Sequence, residues 1–311
     1  MAELKIYGIR GSIATPKKDF MEYGGNTSSY TLRTDENTLL FLDAGTGIMY
    51  ACDELDKKAE QIILAISHTH ADHIMGLGMS RLPWNNFNPV YENKKTKLIG
   101  PEGILEGLQQ YYDGSKNWPV RATNEDCEDK EWNGPNMPGI DFNGLEELID
   151  GSEMRIDEST KLKTMLGNHP VDGNVVLYRF DLNNKSIVYA TDNEFDFLDG
   201  GIPNTKSEEL KSSYIDFISD SDILIADAQY TEEEYVNKNP MNVQGFGHSY
   251  EEQIIQLANK ANVKKVLITH IGPKNTDKIA SEREIKLKEY VKSEGYALEV
   301  EFAKEGMSVI L

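Results

Sequence analysis

Cysteine is nearly missing from this chain, which has only Cys52 and Cys127 in 311 residues. Two distant thiols in unlike contexts make no disulfide framework and lack metal-site spacing, so a cytoplasmic setting is the default expectation. Long hydrophobic runs are missing as well. No stretch of about 18 apolar residues is present to span a bilayer. The start Met1-Ala2-Glu3-Leu4-Lys5-Ile6-Tyr7 lacks the basic head and apolar core of a signal peptide. No membrane partner is expected. Positive charge is short too: 32 Lys and Arg face 52 Asp and Glu, a net charge of −20. That field repels extended nucleic acid unless a local basic patch overrides it. The densest basic run, Lys94-Lys95-Thr96-Lys97, reads as a solvated strand edge.

Histidine is scarce, with six in the chain, and its placement is informative. His68, His70 and His73 fall inside Ser67-His68-Thr69-His70-Ala71-Asp72-His73, directly after the apolar run Gln61 to Ile66. That run reads as a buried strand, so the cluster sits where a strand gives way to a loop. A lone histidine is as readily a satisfied core residue as a ligand. Three with a carboxylate in six positions point to a metal site. His169 and His270 each close an apolar or strand-like stretch, and Asp192 follows the strand Ser186 to Ala190.

Five histidines and two aspartates are enough for two divalent ions. One would take His68, His70 and His169, and the other Asp72, His73 and His270, with Asp192 bridging. Imidazole and carboxylate suit zinc first, and also iron or manganese. Two such ions lower the pKa of a shared water and clamp a substrate anion. The expected chemistry is hydrolysis by a hydroxide held between the ions, with Asp72 in the catalytic set. No serine or cysteine nucleophile is required, and no Gly-x-Ser-x-Gly element is present. A phosphodiester also needs a proton for its leaving oxygen. His248 is the candidate acid and a substrate contact, and Asp227, closing the apolar run Asp222 to Ala226, is the candidate residue to orient it. Asp227 reads equally well as an ordinary strand-end acid. Ser249 and Glu252 have capping-box spacing, which predicts a helix from there to about Ala261 and a phosphate-ready N-terminus beside His248.

Elsewhere the pattern is strands with helices between. Strands are expected at 4–7, 28–33, 38–43, 96–100, 161–166, 175–181, 186–190, 222–227, 265–269 and within 298–311. Helices are expected at 48–58, 102–112 and 281–292. A crude two-half symmetry suggests two packed sheets in one domain over 1–311. Residues 83–160, rich in Asn, Gly and Pro and holding Trp84, Trp118 and Trp132, read as an insertion covering the site. The tryptophans fit a lid, a core or an interface, which leaves a homodimer open.

These motifs resemble the metallo-β-lactamase superfamily, and within it the ribonuclease Z-like and cyclic-nucleotide phosphodiesterase-like branch. Ser67 to His73, then His169, Asp192 and His270, carry the superfamily signature. Gly8 to Pro16 with Tyr23 to Ser29, Phe41 to Gly47, Ala226 to Tyr230, Gly247-His248-Ser249 and Thr269-His270 carry the branch. The resemblance implies an α/β, four-layer αββα sandwich, the ligand assignment above, and phosphate contacts from His248 and Asp227. The branch members with a tRNA-binding arm carry it between the third-motif histidine and the bridging aspartate. Here His169 and Asp192 are one hairpin apart, and the net charge is −20. A small phosphodiester is therefore expected: a cyclic nucleotide, a dinucleotide or a short nucleic-acid end. Asn26 and Thr27 are the candidate substrate contacts at the mouth. The competing class is a non-hydrolytic diiron redox, oxygen-sensing or ligand-binding protein of the same fold. Redox relatives commonly carry Glu at the second position of the run, where this chain has His70.

Overall fold

The computed structural model describes residues 1–55, 58–84, 95–123, 136–171, 174–196, 198–199, 202–203, 205–237 and 240–311, with backbone alone at 198–199 and 202–203. Two seven-stranded sheets pack face to face. The first holds β1 (Glu3–Gly8), β2 (Ser29–Arg33), β3 (Thr38–Leu42), β4 (Gln61–Ala65), β5 (Thr96–Pro101) and β6 (Ile140–Leu148). Its far edge is the last strand, β16 (Ser308–Ile310), antiparallel to β1 with Leu4 opposite Val309. The second holds β7 (Glu153–Arg155), β8 (Thr160–Leu166), β9 (Val176–Leu182), β10 (Lys185–Ala190), β13 (Ile223–Asp227), β14 (Lys265–Thr269) and β15 (Glu299–Phe302). A small hairpin, β11 (Leu198–Asp199) and β12 (Ile202–Pro203), stands apart.

The apolar runs in the sequence are strands covered on both faces. In β3, Leu40 and Leu42 face the second sheet, while Leu39 and Phe41 face helices. In β4, Ile63 and Ala65 point inward and Ile62 and Leu64 outward. Side chains alternate across a strand, so burial on both sides demands an unbroken apolar run. The outer layer on the first sheet includes α1 (Ile48–Ala51) and α3 (Ile104–Tyr111), whose Ile104 and Leu108 meet that face. Over the second sheet lie α4 (Thr205–Ile218), α6 (Glu251–Lys260) and α7 (Asp277–Ser293). Two further short helices are α2 (Ala71–Ile74) and α5 (Glu232–Val236). The order helix, sheet, sheet, helix is the expected αββα sandwich. No helix among the described residues is long and apolar enough to cross a membrane.

Several local expectations are corrected. Ser249 does not cap α6: its hydroxyl donates to the Asn193 carbonyl, and Tyr250 takes the cap position without a side-chain bond. Glu251 and Glu252 fill the first turn of α6 with carboxylates, so this helix end is no phosphate seat. A capping box lies instead at Thr231 and Glu234, opening α5. The helix expected over 48–58 stops at Ala51 and tightens into a 3-10 turn, Cys52–Glu54. Of the segment 83–160, β5 and β6 extend the first sheet beside β4, and β7 joins the second. Lys97 is therefore an interior-strand residue, paired to Glu146 at 2.6 Å. Trp84 and Trp118 pack against the outer core of the first sheet. Cys127 and Trp132 lie outside the described residues.

Strands β3, β4, β5 and β6 run parallel, as do β10, β13, β14 and β15. Parallel strands bring their carboxyl ends to one edge, where α/β proteins place their chemistry.

Candidate metal centre

Each predicted ligand sits at the carboxyl end of a strand on that edge. The loop after β4 carries His68 and His70 and runs into α2, which holds Asp72 and His73. Asp192 follows β10, Asp227 ends β13, and His270 follows β14 directly. His169 follows β8 across the hairpin. Four metal-competent atoms, from His68, His70, His169 and Asp192, lie within 4.8 Å of one another. Asp72, His73, Asp192 and His270 form a second such group, and Asp192, Asp227, His248 and His270 a third. Asp192 is common to all three.

The spacing fits metal ligation. Asp192 Oδ2 lies 3.6 Å from His68 Nε2, 3.3 Å from His73 Nε2, 3.7 Å from His169 Nε2 and 3.3 Å from His270 Nε2. Ligands about 2.0–2.1 Å from a tetrahedral ion stand about 3.4 Å apart. The Nε2 atoms of His68 and His73 are buried without any hydrogen-bond partner. Buried polar atoms are almost always satisfied, so a pair of orphan imidazole nitrogens facing carboxylates marks a place made for a cation.

The distal ring nitrogens explain which face each imidazole offers. His73 Nδ1 donates to Asp43 Oδ2 at 2.7 Å, His68 Nδ1 lies 3.1 Å from Ser67 Oγ, and His169 Nδ1 donates to the Gly247 carbonyl at 2.8 Å. A proton held on Nδ1 leaves the Nε2 lone pair free for a metal. His70 differs in presenting Nδ1, 2.9 Å from His169 Nε2. Asp43 anchors this outer layer: it also accepts the Ser67 amide (2.7 Å), the Ser67 hydroxyl (2.8 Å) and the Tyr189 hydroxyl (2.5 Å).

Electrostatics follow from burial and charge. Burial pushes His68 well below its usual range and His169 down to about 4, favouring neutral, ligand-ready rings. For His73 burial acts the same way, but Asp192, Asp72 and Asp43 overcome it and hold a proton on the ring. Burial tends to raise Asp72 and Asp192. His73 and His270 prevail at Asp72, and His270 and His73 at Asp192, and hold both well below the usual carboxylate range. A field that retains a proton amid buried carboxylates is one that a divalent cation would occupy in its place.

His248 stands at the rim of the third group. Its Nδ1 lies 2.9 Å from Asp227 Oδ2, and its ring stacks on His270 at 4.7 Å between centroids. Burial lowers its pKa, but Asp227 outweighs that and raises it to about 9. The predicted acid and its orienting carboxylate are thus in contact. Asn26 and Thr27 are not free for substrate. Thr27 is fully buried, its amide and hydroxyl both bonded to Thr46, and the Asn26 amide groups bind Glu305. Their polar atoms hold the opening loop together, which corrects the expectation of substrate contact.

Three positions were not picked out from the sequence. Glu194, 2% exposed, accepts the Gly245 and Gly247 amides and the Tyr235 hydroxyl. Gly247 has φ +85°, and a Cβ there would meet His169 Nδ1 at 2.0 Å, so only glycine fits. Asp43, with φ +59°, shares a left-handed backbone with Asp192 (+50°) and His270 (+57°). Asp and His tolerate that region better than bulky residues, and its use at three strand ends of one site is a strain signature of function. A cue for Asp43 was available in the run Phe41 to Gly47. No sequence pattern flags Glu194, because its partners lie 41 to 53 residues away.

Comparison with known proteins agrees with this geometry. Residues 20–199 match the family model described as Anti-Pycsar protein Apyc1. The ribonuclease Z of Oceanobacillus iheyensis is 25% identical over 264 residues, covering 79% of this chain and 84% of that protein. Among solved structures, the metallo-β-lactamase fold protein YhfI from Bacillus subtilis superposes with a TM-score of 0.65 at 15% identity, covering 99% of this chain and 98% of its own. Unliganded yeast PDE1 superposes at 0.64 and 14% identity, covering 100% and 99%. The fold is the metallo-β-lactamase fold.

Proposed function

The chain belongs to the Anti-Pycsar protein Apyc1 family, and on that footing we propose that it hydrolyses a small phosphodiester, a cyclic mononucleotide fitting best and a dinucleotide or short nucleic-acid end next. It is a metal-dependent hydrolase of the metallo-β-lactamase fold, in the ribonuclease Z and phosphodiesterase branch. The observation that carries the substrate class is the His248–Asp227 pair set against the ligand groups. An imidazolium there is placed to give its proton to a leaving alkoxide, a step that a phosphodiester requires.

Two divalent ions, zinc first on the chemistry of an imidazole-rich set, would be held by His68, His70, His169 and Asp192 and by Asp72, His73, Asp192 and His270. When bound, they would supply Lewis-acid polarisation of the phosphoryl oxygens and acidify a water. The chain's own residues do the rest. Asp43, Ser67 and the Gly247 carbonyl fix the imidazole tautomers. Asp227 keeps His248 protonated and aimed.

Size selection is supported by charge. The centre opens on the His70 and His169 side into a polar cavity of about 700 Å³ flanked by Glu102 and Glu106. Carboxylates there, in a chain of net charge −20, disfavour a polyanion trailing from the site. The buried free thiol of Cys52 fits a reducing, cytoplasmic setting. The test is a screen of cyclic nucleotides, dinucleotides and bis-p-nitrophenyl phosphate, with metal analysis on the same preparation. Metal-replete protein that cleaves none of them faster than Asp72→Ala overturns the reading.

A further inference from the structure

On the other flank of the centre lies a second cavity that the hydrolytic step does not use. It has a volume of about 270 Å³ and is walled by Tyr230, Met241, Val243, Phe246, Pro273 and Asn275. Two links join it to the chemistry. Ser12 also lines it, and the Ser12 amide donates to Asp72 Oδ2 at 2.7 Å. The Tyr230 ring meets the His248 ring edge to face, 6.0 Å between centroids. The cavity therefore adjoins the centre through Ser12 and Tyr230.

Its character is the reverse of the acidic cavity opposite. The walls are mainly apolar, with Gln229 and Glu234 also among them, and two of them, Met241 at 51% and Phe246 at 50%, remain half open to water. Half-open aromatic and thioether side chains around a concave site are what a planar ligand covers. The volume falls just below the roughly 300–1,000 Å³ of sites for whole drug-sized ligands, so it suits a single nucleobase. Polar groups line it as well. Asn275 offers a donor and an acceptor on one amide, and Lys274 a cation. The Asn275 backbone is pinned by the buried Arg10, whose Nη1 donates to its carbonyl at 2.7 Å. Aromatic walls with a donor–acceptor edge are how proteins read an unstacked base.

We propose that this cavity is the recognition pocket for the nucleobase of a cyclic mononucleotide, with the base seated against Phe246 and Tyr230 and its edge on Asn275. The proposal rests on the phosphodiesterase reading, and it moves substrate selection from the opening loop to loop 240–246 and turn 272–275.

The test compares base-bearing and base-free probes on Phe246→Ala and on Val243→Trp, which fills the cavity. The probes are the four common ribonucleoside 3′,5′-cyclic monophosphates and 1-O-methyl-ribose 3′,5′-cyclic phosphate. Wild-type kcat/KM is expected to favour the nucleotides by tenfold or more, the scale of one base–aromatic stack, and both variants should erase most of that ratio. Hydrolysis of all probes with a ratio near one, or a ratio unchanged in both variants, overturns the pocket and leaves the phosphodiesterase standing. If no probe is cleaved, the functional reading falls, and calorimetric binding of nucleoside 5′-monophosphates against ribose 5-phosphate decides the pocket. A base preference lost in the variants supports it, and equal binding overturns it.

Discussion

Glu194 accepts the Gly247 amide at 2.8 Å, and Gly247 in turn accepts the His169 ring N–H at 2.8 Å through its carbonyl. One buried carboxylate thus sets a ligand histidine through a single residue, Gly247. It also fixes the residue before His248, and the Tyr235 hydroxyl closes the cage at 2.5 Å. Glu194→Gln replaces an acceptor with an amide donor that faces backbone N–H groups. We expect kcat to fall about 10–100-fold, the usual scale for losing a group that orients metal ligands. Metal content by elemental analysis should fall with it, and full metal occupancy with unchanged kcat would refute the clamp.

His248 should govern the alkaline limb of the pH–rate profile. Its raised pKa of about 9 comes from Asp227 prevailing over burial. A group that must be protonated loses activity as pH rises through its pKa, and removing the carboxylate lowers that pKa. Asp227→Asn is therefore expected to move the alkaline limb to lower pH, and His248→Ala to remove the limb and cost about 10²–10⁴-fold in rate. An alkaline limb at the same pH in Asp227→Asn would contradict the pairing.

Chelation should destabilise the protein as well as silence it. Ligand binding to the folded state adds RT ln(1 + [L]/Kd), about 4 kcal/mol at a thousandfold excess over Kd. Thermal melts with and without a chelator should differ by several degrees, and added zinc should restore the difference. Asp192→Ala, which removes a carboxylate common to all three groups, should lower the metal content and shrink the chelator effect. A melt indifferent to metal in the wild type would count against ligation by these residues.

Arg10 holds the opening loop to the rest of the site. It is fully buried, with Nε donating to the Gly24 carbonyl (2.6 Å) and Nη1 to the Asn275 carbonyl (2.7 Å), while its guanidinium lies 5.0 Å from the Phe20 ring centroid. Arg10→Met keeps volume and leaves buried carbonyls unpaired, at about 1–3 kcal/mol each. Denaturant unfolding should show a loss of about 2–5 kcal/mol. A loss below about 0.5 kcal/mol, the range of ordinary surface substitutions, would refute the role.

Acid sensitivity has a local source at Glu54. Burial tends to raise its pKa, but the Tyr7 hydroxyl at 2.6 Å and Lys5 at 2.9 Å lower it below the usual value. A depressed carboxylate contributes stability above its unfolded pKa, near 4.3, and loses it as pH falls through the folded value. Glu54→Gln should melt below wild type at pH 6–7, with the gap closing under about pH 4. A gap that persists in acid would contradict the assignment.

The ligand set was legible because metal chemistry admits few residue types. Three histidines and an aspartate directly after the β4 run have little else to do, and the later His169, Asp192 and His270 could be found as strand-end residues. Strand positions were legible for a related reason: cover on both faces forces continuous apolar runs such as Thr38 to Leu42. Local hydrogen bonding was less readable. Ser249 has the spacing of a cap, but its hydroxyl goes to Asn193, a partner more than fifty residues away. Thr27 reads as a polar loop residue open to substrate, and packing buries it against Thr46.

The sequence by itself determined the ligand residue types, their order along the chain and the net negative charge of −20, because these are properties of composition and order alone. Only the tertiary structure decided which nitrogen each histidine offers, that Glu194 and Asp43 stand behind the ligands, and that an apolar cavity lies on one flank of the centre and an acidic one on the other. Those features arise where strand ends from two sheets meet, between residues that no local pattern connects.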